Sequence, residues 1–203
     1  LENLFIALRY DLDIGAKAST LNTIGSTYTQ TGQYEQAVEY YLQSIRLYEE
    51  LGDQRRLGIA FNNLGNVFNK LEVVDSAISY LDRAASIKRS VGDEKGTART
   101  LNNLGLVYLD LNELDKASNA LEESLSIKHR LKDSLGIANT LNLLARINLI
   151  NGDLERAKNN LAEAHQILVK TNAQYVLREN LKRQTEYYSK KKDGLGRSPG
   201  SAG

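Results

Sequence analysis

The sequence predicts an all-α protein, an α-solenoid of stacked helical hairpins, on three observations. A block of residues recurs every forty positions without insertion, each block holds two stretches with apolar residues at helical spacing, and the one proline, Pro199, leaves everything before it free to be helical. The recurrence is plainest in Leu21-Asn22-Thr23-Ile24-Gly25, Phe61-Asn62-Asn63-Leu64-Gly65, Leu101-Asn102-Asn103-Leu104-Gly105 and Leu141-Asn142-Leu143-Leu144-Ala145. Tyr28, Phe68 and Tyr108 follow three residues later; then come Ala37, Ala77, Ala117 and Ala157, next Tyr41, Leu81, Leu121 and Leu161, and last Ser44, Ala84, Ser124 and Ala164.

Residues 1–13 read as the second helix of a truncated preceding repeat, because a shift of forty puts Leu1, Leu4 and Leu8 in register with Tyr41, Ser44 and Tyr48. Four repeats follow, at 14–52, 53–92, 93–132 and 133–170. Inside a repeat, turn signals such as Thr31-Gly32-Gln33 and Asn151-Gly152-Asp153 divide the two helices. Between repeats, Gly52-Asp53, Gly92-Asp93 and Lys132-Asp133 end one helix and open the next: glycine suits the left-handed closing residue, and aspartate accepts from the bare N–H groups of a helix start. Gly25, Gly65, Gly105 and Ala145 in the first helices, with the four alanines in the second, mark places where two helices approach closely. Glycine inside a helix costs about 1 kcal/mol relative to alanine, and close backbone contact is the expected compensation. Residues 171–192 read as the first helix of a fifth repeat or a capping helix, with Leu181 and Tyr188 in register with Leu141 and Asn148 and Tyr188 thereby in the core. Residues 193–203, glycine- and serine-containing, read as a flexible tail or an added remnant; no strand precedes Gly194 and Gly196, so their spacing is not a phosphate loop.

This pattern resembles the tetratricopeptide repeat, whose signature is a large residue, Leu-Gly, an aromatic, Gly-x-Tyr, Ala, an aromatic or Leu, and a small residue. The second repeat reads Phe61, Leu64-Gly65, Phe68, Val74, Ala77, Leu81, Ala84; the first reads Leu21, Ile24-Gly25, Tyr28, Gly32-Gln33-Tyr34, Ala37, Tyr41, Ser44. The match covers residues 14 to 169. The departures are a period of forty where 34 is usual, no tryptophan, no terminal proline, and Asn148 in place of the fourth aromatic. The forty-residue period with asparagine-rich first helices is similar to the branch found in kinesin light chains, Pins-type polarity adaptors, Rap-type bacterial peptide receptors and the sensory segments of some bacterial histidine kinases and diguanylate cyclases. The resemblance implies a right-handed superhelix whose first helices line a concave face.

Composition narrows the function classes. With 41% hydrophobic and 25% charged residues the chain is of the soluble globular class, and its longest apolar runs are far too short for a bilayer, so no membrane partner is expected. A net charge of +1 supplies no field to gather nucleic acid. Zero cysteines remove disulfides and thiolate metal sites and fit any compartment; the reading is cytoplasmic. The chain starts at Leu1 without a methionine, and reads as part of a longer protein.

Asparagine is a poor helix residue, because its amide competes for backbone hydrogen bonds. Here it occupies one position in all four repeats, Asn22, Asn62, Asn102 and Asn142. With the core at Leu101, Leu104, Gly105 and Tyr108, the 100° step puts Arg99, Asn102, Asn103, Leu106, Leu109 and Asp110 on the opposite stripe. The equivalent stripes are Ser19, Asn22, Thr23 and Ser26; Ile59, Asn62, Asn63, Asn66 and Asn69; and Asn139, Asn142, Leu143 and Arg146. Six asparagines at the paired positions cost about 3 to 4 kcal/mol in helix propensity, which calls for a compensating role. A carboxamide donates and accepts at once, so a column of them would pair with the backbone of an extended peptide, about one amide per three peptide units. Ile59, Leu106, Leu109 and Leu143 would offer apolar pockets, and Arg99 and Arg146 would take a carboxylate. The same amides would also be explained by bonding to one another between adjacent helices, satisfied within the chain.

His129 and His165 lack companions at ligand spacing, so neither metal nor cofactor is expected, and no serine, histidine and acid set suggests a triad, so the chain is read as non-catalytic. Lys182, Arg183 and Lys190-Lys191-Lys192 make the last helix basic, as a solvated helix end is. The expected function is a module that binds a peptide or protein segment. Residues 162 to 188 resemble the stretch before the output domain of bacterial repeat-containing sensor kinases and cyclases, which implies a regulator fragment. A cargo or polarity adaptor and an end-to-end self-assembling unit, joined through open faces such as Leu1, Leu4 and Leu8, are the alternatives.

Overall fold

Positive φ angles recur every twenty residues along the backbone: at Gly32, Gly52, Glu72, Gly92, Asn112, Lys132, Gly152 and Asn172. Each closes a helix in the left-handed region, where glycine carries no Cβ penalty, and at four of the eight a larger residue is held there instead. A computed structural model describes residues 1–8 and 13–195, and among these every regular element is an α-helix. The helices are α1 (Glu2–Ala7), α2 (Ile14–Gln30), α3 (Tyr34–Leu51), α4 (Gln54–Lys70), α5 (Val74–Ser90), α6 (Glu94–Asp110), α7 (Leu114–Arg130), α8 (Ser134–Asn151), α9 (Leu154–Lys170) and α10 (Gln174–Leu195). Aspartate opens α2, α4, α6, α8 and α9, where Asp13, Asp53, Asp93, Asp133 and Asp153 accept from the backbone N–H three residues on at 2.9–3.0 Å.

The helices pack as two compact units, one ending at Val107 and one beginning at Tyr108. In the first, Ala18, Ala37, Tyr41, Ile45, Leu57, Phe61, Leu64 and Val67 belong to one buried cluster. Its helical glycines are there for contact: a Cβ on Gly65 would lie 2.7 Å from Cγ of Leu81 and 3.2 Å from the Ala77 carbonyl oxygen, and one on Gly25 would lie 3.0 Å from the Tyr41 ring. Tyr28 stacks on Tyr40 and Phe68 on Tyr80, with ring centroids 5.4 and 5.5 Å apart, so α2 meets α3, and α4 meets α5, through an aromatic pair. Leu1 and Leu8, which flank α1, are exposed and half-buried respectively, and Leu4 within it is half-buried.

In the second unit, Leu109, Ala117, Leu121, Leu144 and Ile147 form one cluster, and Ala145, Leu149, Ala157, Leu161 and Tyr187 another. Two expectations are corrected here. Leu109 lines no groove: it is buried against α7 and α8. On α10, Tyr187 is buried at 3% exposure, whereas Tyr188 stands 64% and Leu181 46% exposed. Leu181 and Tyr188 hold the register positions that, in the earlier repeats, turn toward the hairpin's own second helix, and no described helix follows α10 to cover them. The side of α10 that meets α8 and α9 is buried instead. Leu195 ends α10, so Asp193 to Leu195, expected in the tail, are helical; the rest of that tail, 196–203, lies outside the described residues.

Candidate functional site

The stripe of the first helices divides into buried and open residues. Asn62 and Asn142, expected to face solvent, are buried at 3% and 5% exposure. The cause is the next first helix. Oδ1 of Asn62 accepts from Oγ1 of Thr100 at 2.9 Å and from Nδ2 of Asn103 at 3.2 Å, and Oδ1 of Asn142 accepts from Nδ2 of Asn180 at 2.7 Å. These amides stitch one repeat to the next. The same position on α2 is half-buried, and Oδ1 of Asn22 is shielded from water with no hydrogen-bond partner. On α8, Nδ2 of Asn142 is likewise buried and unpartnered. The other predicted residues lie nearer solvent: Ser26, Asn63, Asn66, Asn102, Asn103, Leu106, Asn139 and Arg146 are half-buried, as are Ile59 and Leu143, and Arg99 is exposed. Arg146 lies 3.7 Å from Asp110, with both side chains open to water, a pair of little energetic weight.

Sequence reasoning missed the lysines beneath this seam. Nζ of Lys88 donates to Oγ1 of Thr100, and Nζ of Lys128 to Oγ1 of Thr140, each at 2.7 Å. Both ammonium groups are buried and held down to a pKa of about 8, Lys88 by burial and then by Arg99, against Asp93, and Lys128 by burial against Asp133. Their signal was available, since both the lysines and the threonines are forty residues apart. Arg183, read from the sequence as part of a solvated basic helix end, is half-buried instead: burial lowers its pKa, with Arg146 adding to the effect and Glu179 and Glu186 opposing it. Among the described residues no three His, Cys, Asp or Glu side chains gather as a metal site, and no helix is long and apolar enough to cross a membrane.

Tetratricopeptide-repeat family models match residues 18–51 and 56–130, together more than half of the sequence. No curated protein matches significantly. Aspartyl phosphate phosphatase F from Bacillus subtilis superposes with a TM-score of 0.86 at 19% identity, over 92% of this chain and 49% of its own. A Rap protein complexed with Competence and Sporulation Factor gives 0.78 at 16% identity, over 85% and 48%. A Podosopora anserina putative kinesin light chain with nearly identical TPR-like repeats gives 0.70 at 17% identity, over 89% and 92%. This chain thus spans about half the length of the first two and most of the third, and shares the helical-hairpin repeat fold with all three.

Proposed function

Because this chain belongs to the tetratricopeptide-repeat family, we propose that it is a non-catalytic interaction module that holds an extended peptide or protein segment against the open stripe of its first helices. One observation carries this reading: in each unit an asparagine at this repeat position keeps hydrogen-bonding capacity that the chain itself does not use. Oδ1 of Asn22 and Nδ2 of Asn142 are buried and unpartnered, one acceptor and one donor. A buried polar atom left unsatisfied costs about 1–3 kcal/mol, which the N–H or C=O of a bound backbone would offset once the amide turned outward to meet it. Half-buried Asn63 and Asn66 extend the stripe beyond the stitching pair of Asn62 and Asn103.

The bound segment would regulate a larger bacterial signalling protein. In support stand the resemblance of residues 162 to 188 to segments that precede output domains, and a shared fold with a Rap protein complexed with Competence and Sporulation Factor. The test is capture from an array of extended peptides by the unaltered chain and by Asn22→Ala/Asn63→Ala/Asn66→Ala, with helicity checked by circular dichroism. Capture should fall at least tenfold in the triple variant while helicity is kept. Equal capture by a folded variant would remove the case for the stripe.

A further inference from the structure

Within the unit that ends at Val107, a hydrogen-bond relay runs from α5 through α6 to α4 and back to α6. Nζ of Lys88 donates to Oγ1 of Thr100 at 2.7 Å, that hydroxyl donates to Oδ1 of Asn62 at 2.9 Å, and Nδ2 of Asn103 donates to the same oxygen at 3.2 Å. Lys88, Thr100 and Asn62 are buried, and Asn103, at the outer end, is half-buried. The direction of the whole relay follows from its first member. An ammonium donates and cannot accept, so it occupies a lone pair of the Thr100 oxygen, and its positive charge draws a carbonyl rather than an NH₂ group to the far side of that hydroxyl. Asn62 therefore meets Thr100 with its oxygen, and Asn103 meets that oxygen with its nitrogen. What the half-buried amide has left to offer the stripe is its own carbonyl oxygen. The opposite order is open to the same atoms once the charge is gone. Oγ1 of Thr100 also donates to the Gly96 carbonyl at 3.0 Å. With its hydrogen committed there and no ammonium upon it, the hydroxyl oxygen accepts from Nδ2 of Asn62; both amides then turn over, and Asn103 offers the stripe an N–H.

We propose that Lys88 is a positioning residue for the bound segment: acting through Thr100 and Asn62, its ammonium turns the carbonyl oxygen of Asn103 toward the open stripe, which makes that position specific for a backbone N–H of the segment. This deepens the function proposed above and rests on it for the presence of a peptide at the stripe. The lysine never touches the segment; its effect travels as an order of donors and acceptors in a buried network whose members polarise one another. The groups packed around it leave the charge within reach of a titration. On α6, Arg99 opposes the charge and Asp93 favours it, α4 meets its stem at Gly58, and burial with Arg99 outweighs Asp93, so the ammonium prevails at pH 7 and is lost above a pKa of about 8.

The experiment uses the peptide that the array captures best, together with copies in which each backbone N–H in turn is replaced by N–CH₃. At pH 7 one copy should bind the unaltered chain about tenfold more weakly than the parent peptide, as loss of a hydrogen bond requires, and that difference should vanish in Asn103→Ala. The difference should also shrink to within about twofold in Lys88→Met, and in the unaltered chain at pH 9.5, whereas Lys88→Met should discriminate alike at both pH values. Dichroism verifies that Lys88→Met folds, and the comparison of pH values needs no substitution. A lysine that served packing alone would weaken every copy equally on replacement and leave the discrimination untouched. Discrimination that persists in Lys88→Met or at pH 9.5, or that is indifferent to Asn103→Ala, would overturn the positioning role, while capture itself leaves the stripe reading intact. In the free chain at pH 7, exchange of the Asn103 side-chain NH₂ with water, followed by NMR, should quicken about tenfold in Lys88→Met, as that group turns from Asn62 to solvent. Equal exchange would overturn the relay even where no peptide is captured; quickened exchange without capture would sink the stripe reading and leave the relay standing.

Discussion

Replacing Asn62 by alanine separates an amide that stitches repeats from one that awaits a ligand, because the two roles predict opposite signs for stability. Oδ1 of Asn62 accepts two hydrogen bonds, at 2.9 Å from Thr100 and 3.2 Å from Asn103, in a site 3% exposed. Neutral hydrogen bonds contribute about 1 kcal/mol each, so Asn62→Ala forfeits about 2 kcal/mol before relaxation. Relaxation is available: the Thr100 hydroxyl also reaches the Gly96 carbonyl at 3.0 Å, and half-buried Asn103 can turn to water. Alanine returns about 0.6 kcal/mol of helix propensity. The net is a loss of about 1 to 1.5 kcal/mol. Asn63→Ala, on the same helix but nearer solvent, gains the propensity and should stabilise by about 0.5 kcal/mol. Urea unfolding followed by circular dichroism measures both. An Asn62→Ala variant as stable as the parent or more stable would refute the stitching role and restore Asn62 to the ligand-facing set.

Two further outcomes follow from the packing and the buried charges. Gly65→Ala should destabilise by about 1–3 kcal/mol in the same assay, because the added methyl meets Cγ of the fully buried Leu81 at 2.7 Å and the backbone oxygen of Ala77 at 3.2 Å. For Lys88 and Lys128 the folded state holds each pKa at about 8, below the ordinary 10.5, so protonation opposes folding; the penalty is complete below pH 8 and fades as pH rises toward 10.5. Thermal stability should therefore rise from about pH 8 to about pH 9.5, by roughly 1–2 kcal/mol per lysine, and Lys88→Met should remove about half of the rise. A flat profile in the parent chain would contradict it.

The fold was legible because its determinants are local and repeated. Glycine and aspartate at the turns act within three residues, and Gly65 opposite Leu81 recurs as Gly25 opposite Tyr41, so a period in the chain translates directly into a period in space. The stripe was harder to read for a reason the same residues expose. A 100° step along one helix places Asn62 and Asn63 together on the face away from the core, yet the edge of that face is covered by the next first helix, and which asparagine lies under the edge depends on Thr100 and Asn103. Periodicity within a helix carries no knowledge of the neighbouring layer. Leu109 went astray in this way, buried against α7 and α8, and so did Tyr188, exposed because no described helix covers it. The information that was needed lies at a longer range in the sequence: Lys88 with Thr100 and Lys128 with Thr140 form the same contact twice, forty residues apart. Polar residues that repeat at the period of the whole unit, on opposite sides of a turn, report on the seam between units; those that repeat only along one helix report on its faces. By that criterion Asn142 belongs to both classes: its oxygen, committed to Asn180 at 2.7 Å, reports on the seam, and its nitrogen, buried without a partner, is the part of the amide that the seam leaves unused.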